Sequence, residues 1–203
     1  MATTVRQLFN NVDILDFNQV KWGTLFKENK EGVYVVATSE NPDKHLGISD
    51  LPNFDDQLIN LWISKLPNFQ IDGTTATLTT LKKRLTDFWF PDESVLYIGK
   101  APTRKNGSGI SKRVTEYFST CIGDGGPHSG GQWIKVLKDL NTFTVYYGAC
   151  DKPSVVENQM LNFFKSNVSK TSLANLYDKI LPIPFANINI TGNKNHGLKN
   201  QRL

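Results

Sequence analysis

Gly32-Val33-Tyr34-Val35-Val36-Ala37-Thr38 and Val95-Leu96-Tyr97-Ile98-Gly99-Lys100 are the two stretches on which the fold turns. Each is short, apolar and rich in β-branched or aromatic residues. Each is also bounded by glycine or turn-forming residues, the signature of a buried strand. Phe143 to Ala149 (FTVYYGA) reads as a third strand of the same kind. Between the first two, Ser39 to Glu93 opens on the turn Asn41-Pro42-Asp43. It carries two helical stripes, Phe54, Leu58, Leu61 and Trp62 behind a cap at Asn53, then Leu78, Leu81, Leu85, Phe88 and Trp89.

After the second strand comes a basic, glycine-rich loop, Ala101 to Gly109. A helix follows over about Ile110 to Phe118, with Ile110, Val114, Tyr117 and Phe118 facing inward. Ile122 to Gly131 is too glycine-rich for helix or strand, and Gln132 to Leu140 reads as another helix. Pro153 suits the first turn of a helix to about Phe164. Residues 188–203 are Asn- and Lys-rich and read as an exposed basic tail. The order β, two helices, β, α, α, β, α predicts an α+β fold. We expect a small three-stranded sheet flanked by helices in one domain over 1–203, with 39–93 a helical insertion after the first core strand.

The chain's 203 residues suffice for one well-buried core. Its net charge of +4 is unevenly spread. Residues 1–92 carry 9 Lys and Arg against 12 Asp and Glu, net −3, whereas residues 93–203 carry 14 against 7, net +7. That asymmetry suits a polyanion contacted by the C-terminal half, since each cation near a phosphate releases condensed counterions. No apolar stretch is long enough to cross a bilayer, and Met1 to Asn10 lack the pattern of a signal peptide. Cys121 and Cys150 are the only cysteines, and idle thiols suit a reducing, cytoplasmic setting. The glycines after Lys100 do not form a nucleotide-binding P-loop. His45, His128 and His196 are too scattered for a zinc site.

Gly32-Val33-Tyr34 and Tyr97-Ile98-Gly99 resemble the paired tripeptides that name the GIY-YIG nuclease superfamily. The resemblance extends through Lys100, Arg113 in SKRVTEY, Glu157 in VVENQML and Pro184-Phe185-Ala186-Asn187. In two respects the chain departs from the pattern. Some 62 residues separate the tyrosines, where the family has a short hairpin, and the interval from glutamate to asparagine is long enough that Asn175 competes with Asn187. Tyr117 stands where some members carry a histidine one helical turn after the arginine.

The resemblance implies a metal-dependent endodeoxyribonuclease, intracellular and compatible with association to the nucleoid. Arg113 would hold non-bridging phosphate oxygens with its planar fork. Glu157 would ligate one Mg²⁺, with Mn²⁺ a substitute, an ion that keeps several waters. Tyr34 would serve as general base or water-positioning group with Tyr97 beside it. An ordinary phenol is about 4 kcal/mol short of ionisation at neutral pH, and Lys100 is the cation expected to lower that cost. Gly99, Arg104, Lys105, Lys112, Tyr117 and Asn187 are expected along the DNA. Read without the resemblance, Tyr34 and Tyr97 are core residues, and Arg113 and Glu157 solvated helix residues. A non-catalytic nucleic-acid-binding module with the same fold is the alternative. The oligomeric state is left open.

Overall fold

A computed structural model describes residues 2–103, 109–126, 131–188 and 194–202. The expected sites Arg104 and Lys105 lie outside these, as does His128. The chain is mixed α+β. In order run α1 (Val5–Asn10), β1 (Asn18–Lys21), β2 (Gly32–Ala37), α2 (Asp56–Lys65), β3 (Gln70–Ile71), β4 (Thr74–Thr75), α3 (Leu78–Thr86) and β5 (Val95–Ala101). Then follow α4 (Ile110–Ser119), α5 (Gly131–Lys135), β6 (Thr144–Ala149), α6 (Pro153–Asn167), α7 (Lys170–Asn175) and β7 (Leu198–Lys199).

The main sheet has four antiparallel strands in the order β1-β6-β2-β5, one more than expected. The addition is β1, Asn18-Gln19-Val20-Lys21, which lies mostly exposed along β6. A polar edge strand has no apolar alternation by which to be read, and its Lys21 also discourages pairing with other chains. β2 is central and buried along its whole length, which is why it reads as a continuous apolar run. Val33, Val35 and Ala37 face α1 and α6, through Leu8, Phe9, Met160, Leu161 and Phe164. Tyr34 and Val36 face the opposite core, which includes Val114 and Tyr117 of α4.

The segment 39–93 contributes Phe54, Ile59, Trp62, Leu81, Leu85, Phe88 and Trp89 to that same second core. It also holds a small hairpin, β3–β4, turned at Asp72-Gly73, where both residues have positive φ (50° and 81°). α2 is capped by Asp55, not Asn53: the Asp55 side chain accepts from the N–H groups of Gln57 and Leu58. The helix expected over 132–140 is only the five residues of α5, followed by a 3-10 turn at Leu140–Thr142.

The described part of the C-terminal segment is not an exposed tail. β7 pairs with β3 to complete a second, three-stranded antiparallel sheet, and Leu198 is buried. Trp62 donates from Nε1 to the Gln201 carbonyl at 2.7 Å. Lys194 is buried, donating from Nζ to the carbonyls of Pro184 (3.1 Å) and Phe185 (3.0 Å), with its ammonium over the rings of Phe88 and Trp133. Burial lowers its pKa to about 7. Composition suggested solvent here because lysine and asparagine are usually exposed; backbone acceptors and aromatic faces supply the missing solvation.

Glu93 ties the N-terminal segment down, its two carboxylate oxygens accepting the Thr3 N–H at 3.0 and 3.2 Å. Burial pushes its pKa up to about 8, against the opposing hydrogen bond from Thr3. Between its unfolded value and 8, the folded chain therefore binds more protons than the unfolded one. Through Glu93, stability falls as pH rises across that window, by up to about 5 kcal/mol once the group is fully ionised. Glu93→Gln is neutral at every pH and still accepts from Thr3. It should match the parent near pH 5 and exceed its melting temperature increasingly toward pH 8, as thermal unfolding at several pH values will show; parallel curves would refute this.

Candidate active site at the edge of the sheet

β2 and β5 pair so that Tyr34 lies opposite Gly99. A Cβ at position 99 would stand 2.4 Å from Cε1 of Tyr97, 2.8 Å from Cζ of Tyr34 and 2.9 Å from its hydroxyl. Glycine is required there because two phenol rings converge over it. A β-bulge opposite Val36 and Ala37 sets both Leu96 and Tyr97 against the same core, where strict alternation would part them. The rings of Tyr34 and Tyr97 are 5.7 Å apart, and their hydroxyls are hydrogen-bonded. Tyr117 closes the cluster edge-on, 6.3 Å from Tyr34 and 5.0 Å from Tyr97.

Arg113 reaches this cluster from α4. The first turn of that helix is anchored by the N–H groups of Ile110 and Ser111 donating to the carbonyls of Lys30 (3.0 Å) and Glu28 (2.9 Å). Gly109 permits the approach, since a Cβ there would fall 2.1 Å from the Lys30 carbonyl oxygen. The Arg113 guanidinium donates from Nη1 to Glu116 at 3.5 Å, and its charge favours ionisation of Tyr34, Tyr97, Tyr117 and Glu157. Glu116 is a participant that motif comparison missed; its one signal is its place three residues after Arg113, one turn along the same face.

Glu157 comes from the opposite core, at the start of the buried stripe Glu157, Met160, Leu161 and Phe164 on α6. Because β5 is an edge strand, a carboxylate from one face of the sheet acts on Tyr97 on the other. The Glu157 charge raises the pKa of Tyr97. Its side chain is 9% exposed and accepts from Lys100 Nζ at 2.9 Å, while Lys100 itself is 41% exposed. Burial raises the Glu157 pKa, with Lys100 opposing.

Several expected roles change on this geometry. Tyr34 is fully buried, and burial lifts its pKa well above that of an ordinary phenol. A phenolate base at Tyr34 is thus disfavoured. Lys100 does not relieve it, being engaged with Glu157; Arg113 is the opposing cation. Tyr97 is also held above the ordinary range by burial, yet keeps part of its surface exposed. Tyr117 is fully buried and serves as a packing wedge, not as a surface for DNA. Lys112 is exposed on α4, where a phosphate could meet it.

Asn187 is the asparagine at the site, since Asn175 ends α7 exposed. Asn187 is buried and faces the outer edge of β5. It accepts the Ile98 N–H at 2.9 Å and donates to the Ile98 carbonyl at 2.7 Å, while Ala186 N–H donates to the Leu96 carbonyl at 2.9 Å. Both polar ends of Asn187 are spent on the strand that carries Tyr97, Gly99 and Lys100, so it positions the site and does not bind DNA. Asn187→Leu leaves two backbone groups of Ile98 without partners, at about 1–3 kcal/mol each. A drop of that order in urea-unfolding free energy is expected, and an unchanged midpoint would contradict it.

Among the described residues no three His, Cys, Asp or Glu side chains converge as a metal cage. The cluster offers the Glu157 carboxylate and, beside Arg113, the Glu116 carboxylate. That set is unsuited to zinc but fits Mg²⁺, which retains several waters and draws further ligands from a substrate phosphate.

No family model, curated protein or solved structure matches the chain. Nor is any described helix long and apolar enough to cross a membrane.

Proposed function

We propose that this chain is an Mg²⁺-dependent endodeoxyribonuclease of GIY-YIG type. One observation carries the reading: Tyr34, Tyr97, Arg113 and Glu157, from four separate elements, meet at one edge of an antiparallel sheet. Arg113, partly exposed on α4, carries the planar fork that matches two phosphate oxygens. Glu157 is the residue that would hold Mg²⁺, with Mn²⁺ a substitute, and the bound ion would supply charge relief at the phosphate and leaving oxygen. Lys100 favours the ionised form of the buried Glu157, against the burial that opposes it. Tyr97, the tyrosine of the pair that keeps part of its surface exposed, positions the attacking water, and the buried Tyr34 orients Tyr97 by donating to its hydroxyl. The exposed Lys112 grips flanking backbone, with Arg104 and Lys105 assigned the same task by sequence.

Incubation with supercoiled plasmid, with Mg²⁺ and with chelator, tests this: nicking should appear only with the metal. Tyr97→Phe should then lose on the order of 10²–10⁴ in rate, the scale of general acid–base help. Tyr34→Phe should lose less, because it removes an orienting hydrogen bond and no contact with water. Equal rates for parent and Tyr97→Phe would defeat the assignment. The firm Lys100–Glu157 pair favours one second reading, a module that binds nucleic acid without cutting it. DNA binding with no metal-dependent nicking would select that reading.

A further inference from the structure

Residues 22–31, which join β1 to β2, pack on the same side of the sheet as Tyr34. Trp22 meets Tyr117 and Phe118 of α4 edge-on, with ring centroids 5.1 and 4.8 Å apart. Phe26 stacks on Tyr147 at 4.3 Å, and Tyr147 stands opposite Tyr34 in the pairing of β6 with β2. The loop then reaches the first turn of α4, where the carbonyls of Glu28 and Lys30 accept the Ser111 and Ile110 N–H groups. A segment without regular structure is thus fixed at both ends and in its middle. Leu25, next to the inward ring of Phe26, is left 74% exposed.

This loop is a basic island in the acidic half of the chain. Residues 21–30 carry 3 Lys against 1 Glu, net +2, where residues 1–92 as a whole are net −3. Lys27 and Lys30 are exposed, and their ammonium groups, like that of the exposed Lys112, make no ion pair among the described residues. The nearby carboxylates are engaged elsewhere. Glu28 accepts the Lys30 N–H at 3.0 Å, Glu31 accepts the Thr103 N–H at 3.2 Å, and Glu116 pairs with Arg113. Cations that no carboxylate neutralises, beside the helix that carries Arg113, complement a polyanion. With Trp22 and Phe26 turned inward, one outward apolar side chain is too little to hold the loop in a bilayer. It is enough to lie on deoxyribose between phosphate contacts. We propose that residues 22–30 are a second DNA-contacting element. Lys27 and Lys30 hold duplex phosphates beyond those met by Arg113 and Lys112, and Leu25 packs on the sugars between them. The assignment to DNA rests on the nuclease reading above.

Photocrosslinking tests the contact directly. With p-benzoylphenylalanine in place of Leu25, irradiation beside a short radiolabelled duplex, in chelator so that it stays uncut, should join chain to DNA. The same group in place of Leu15, which is 73% exposed next to Ile14 of the opposite core, should not. In parallel, the double variant Lys27→Gln, Lys30→Gln should bind that duplex ten- to a hundredfold more weakly at about 0.1 M salt. The slope of log affinity against log salt should fall by about two. Lys165→Gln, Lys170→Gln removes as much charge from α6 and α7, which pack on the opposite core, and should stay within a few-fold of the parent. All four lysines are exposed, so melting temperatures should match the parent's. Equal crosslinking from positions 15 and 25, or equal losses in the two double variants, would reduce the effect to general charge and overturn the proposal. Binding of the loop to phosphatidylserine vesicles but not to the duplex would overturn it in favour of a membrane. Crosslinking from position 25 in a chain that never nicks plasmid upholds the surface and rejects the nuclease. Metal-dependent nicking without that crosslink does the reverse.

Discussion

Glu157→Gln should abolish Mg²⁺-dependent nicking while leaving DNA affinity within a few-fold of the parent. Glutamine keeps the shape of the side chain at the head of the α6 stripe but loses the charge that would hold a hard cation. A metal contributes several kcal/mol to a phosphodiester transition state, so a loss of ~10³-fold or more is expected. Folding should survive. The native carboxyl is held above the usual carboxylate range by burial, so a neutral isostere removes a desolvation cost, and Lys100, 41% exposed, is resolvated when its partner goes. Mn²⁺ should not rescue the variant. The same burial has a consequence in the parent. A raised carboxyl must lose its proton before it can hold the cation, so activity should fail on acidification at a higher pH than an ordinary glutamate would impose. Full activity of Glu157→Gln in Mg²⁺ would sink the assignment, and melting curves for both proteins separate that outcome from misfolding.

Arg113→Lys is expected to lose about 10²–10³-fold in single-turnover rate at saturating DNA, the range for one preorganised charge-stabilising donor. Net charge is unchanged, so long-range attraction to DNA and its salt dependence should change little. What is lost is the planar pair of N–H donors that matches two phosphate oxygens, which a rotating ammonium cannot reproduce. The effect belongs in the chemical step, with affinity nearly unchanged. Stability should also move little, because lysine keeps a positive charge beside Glu116. A lysine variant with near-parental turnover would reduce Arg113 to a general electrostatic role.

These expectations depend on how much of the site local sequence can encode. The strands at 32–37, 95–101 and 144–149 were readable because apolar, β-branched runs report burial directly, and α4 and α6 because their apolar stripes recur with helical period. The residues of the proposed site were readable too, since Tyr34, Tyr97, Arg113 and Glu157 lie on those elements in order. Division of labour among them was not. Whether a phenol is buried or open depends on what covers the sheet. The cover over Tyr34 includes Tyr117 of α4, far away in sequence. Lys100 follows Gly99 directly, yet its partner is on α6, and only strand pairing at the sheet edge brings them to 2.9 Å.

The sequence by itself determined the apolar strands, the helical stripes and the kinds of side chain available, because each is a matter of residues within a few positions of one another. Tertiary structure alone decided the rest. It made polar Asn18–Lys21 an edge strand, chose Asn187 over Asn175 through two hydrogen bonds to Ile98, and buried Lys194 among backbone carbonyls and aromatic rings. In each case the partner that satisfies the polar group is remote in the chain or is the backbone itself, and neither leaves a periodic mark on the sequence.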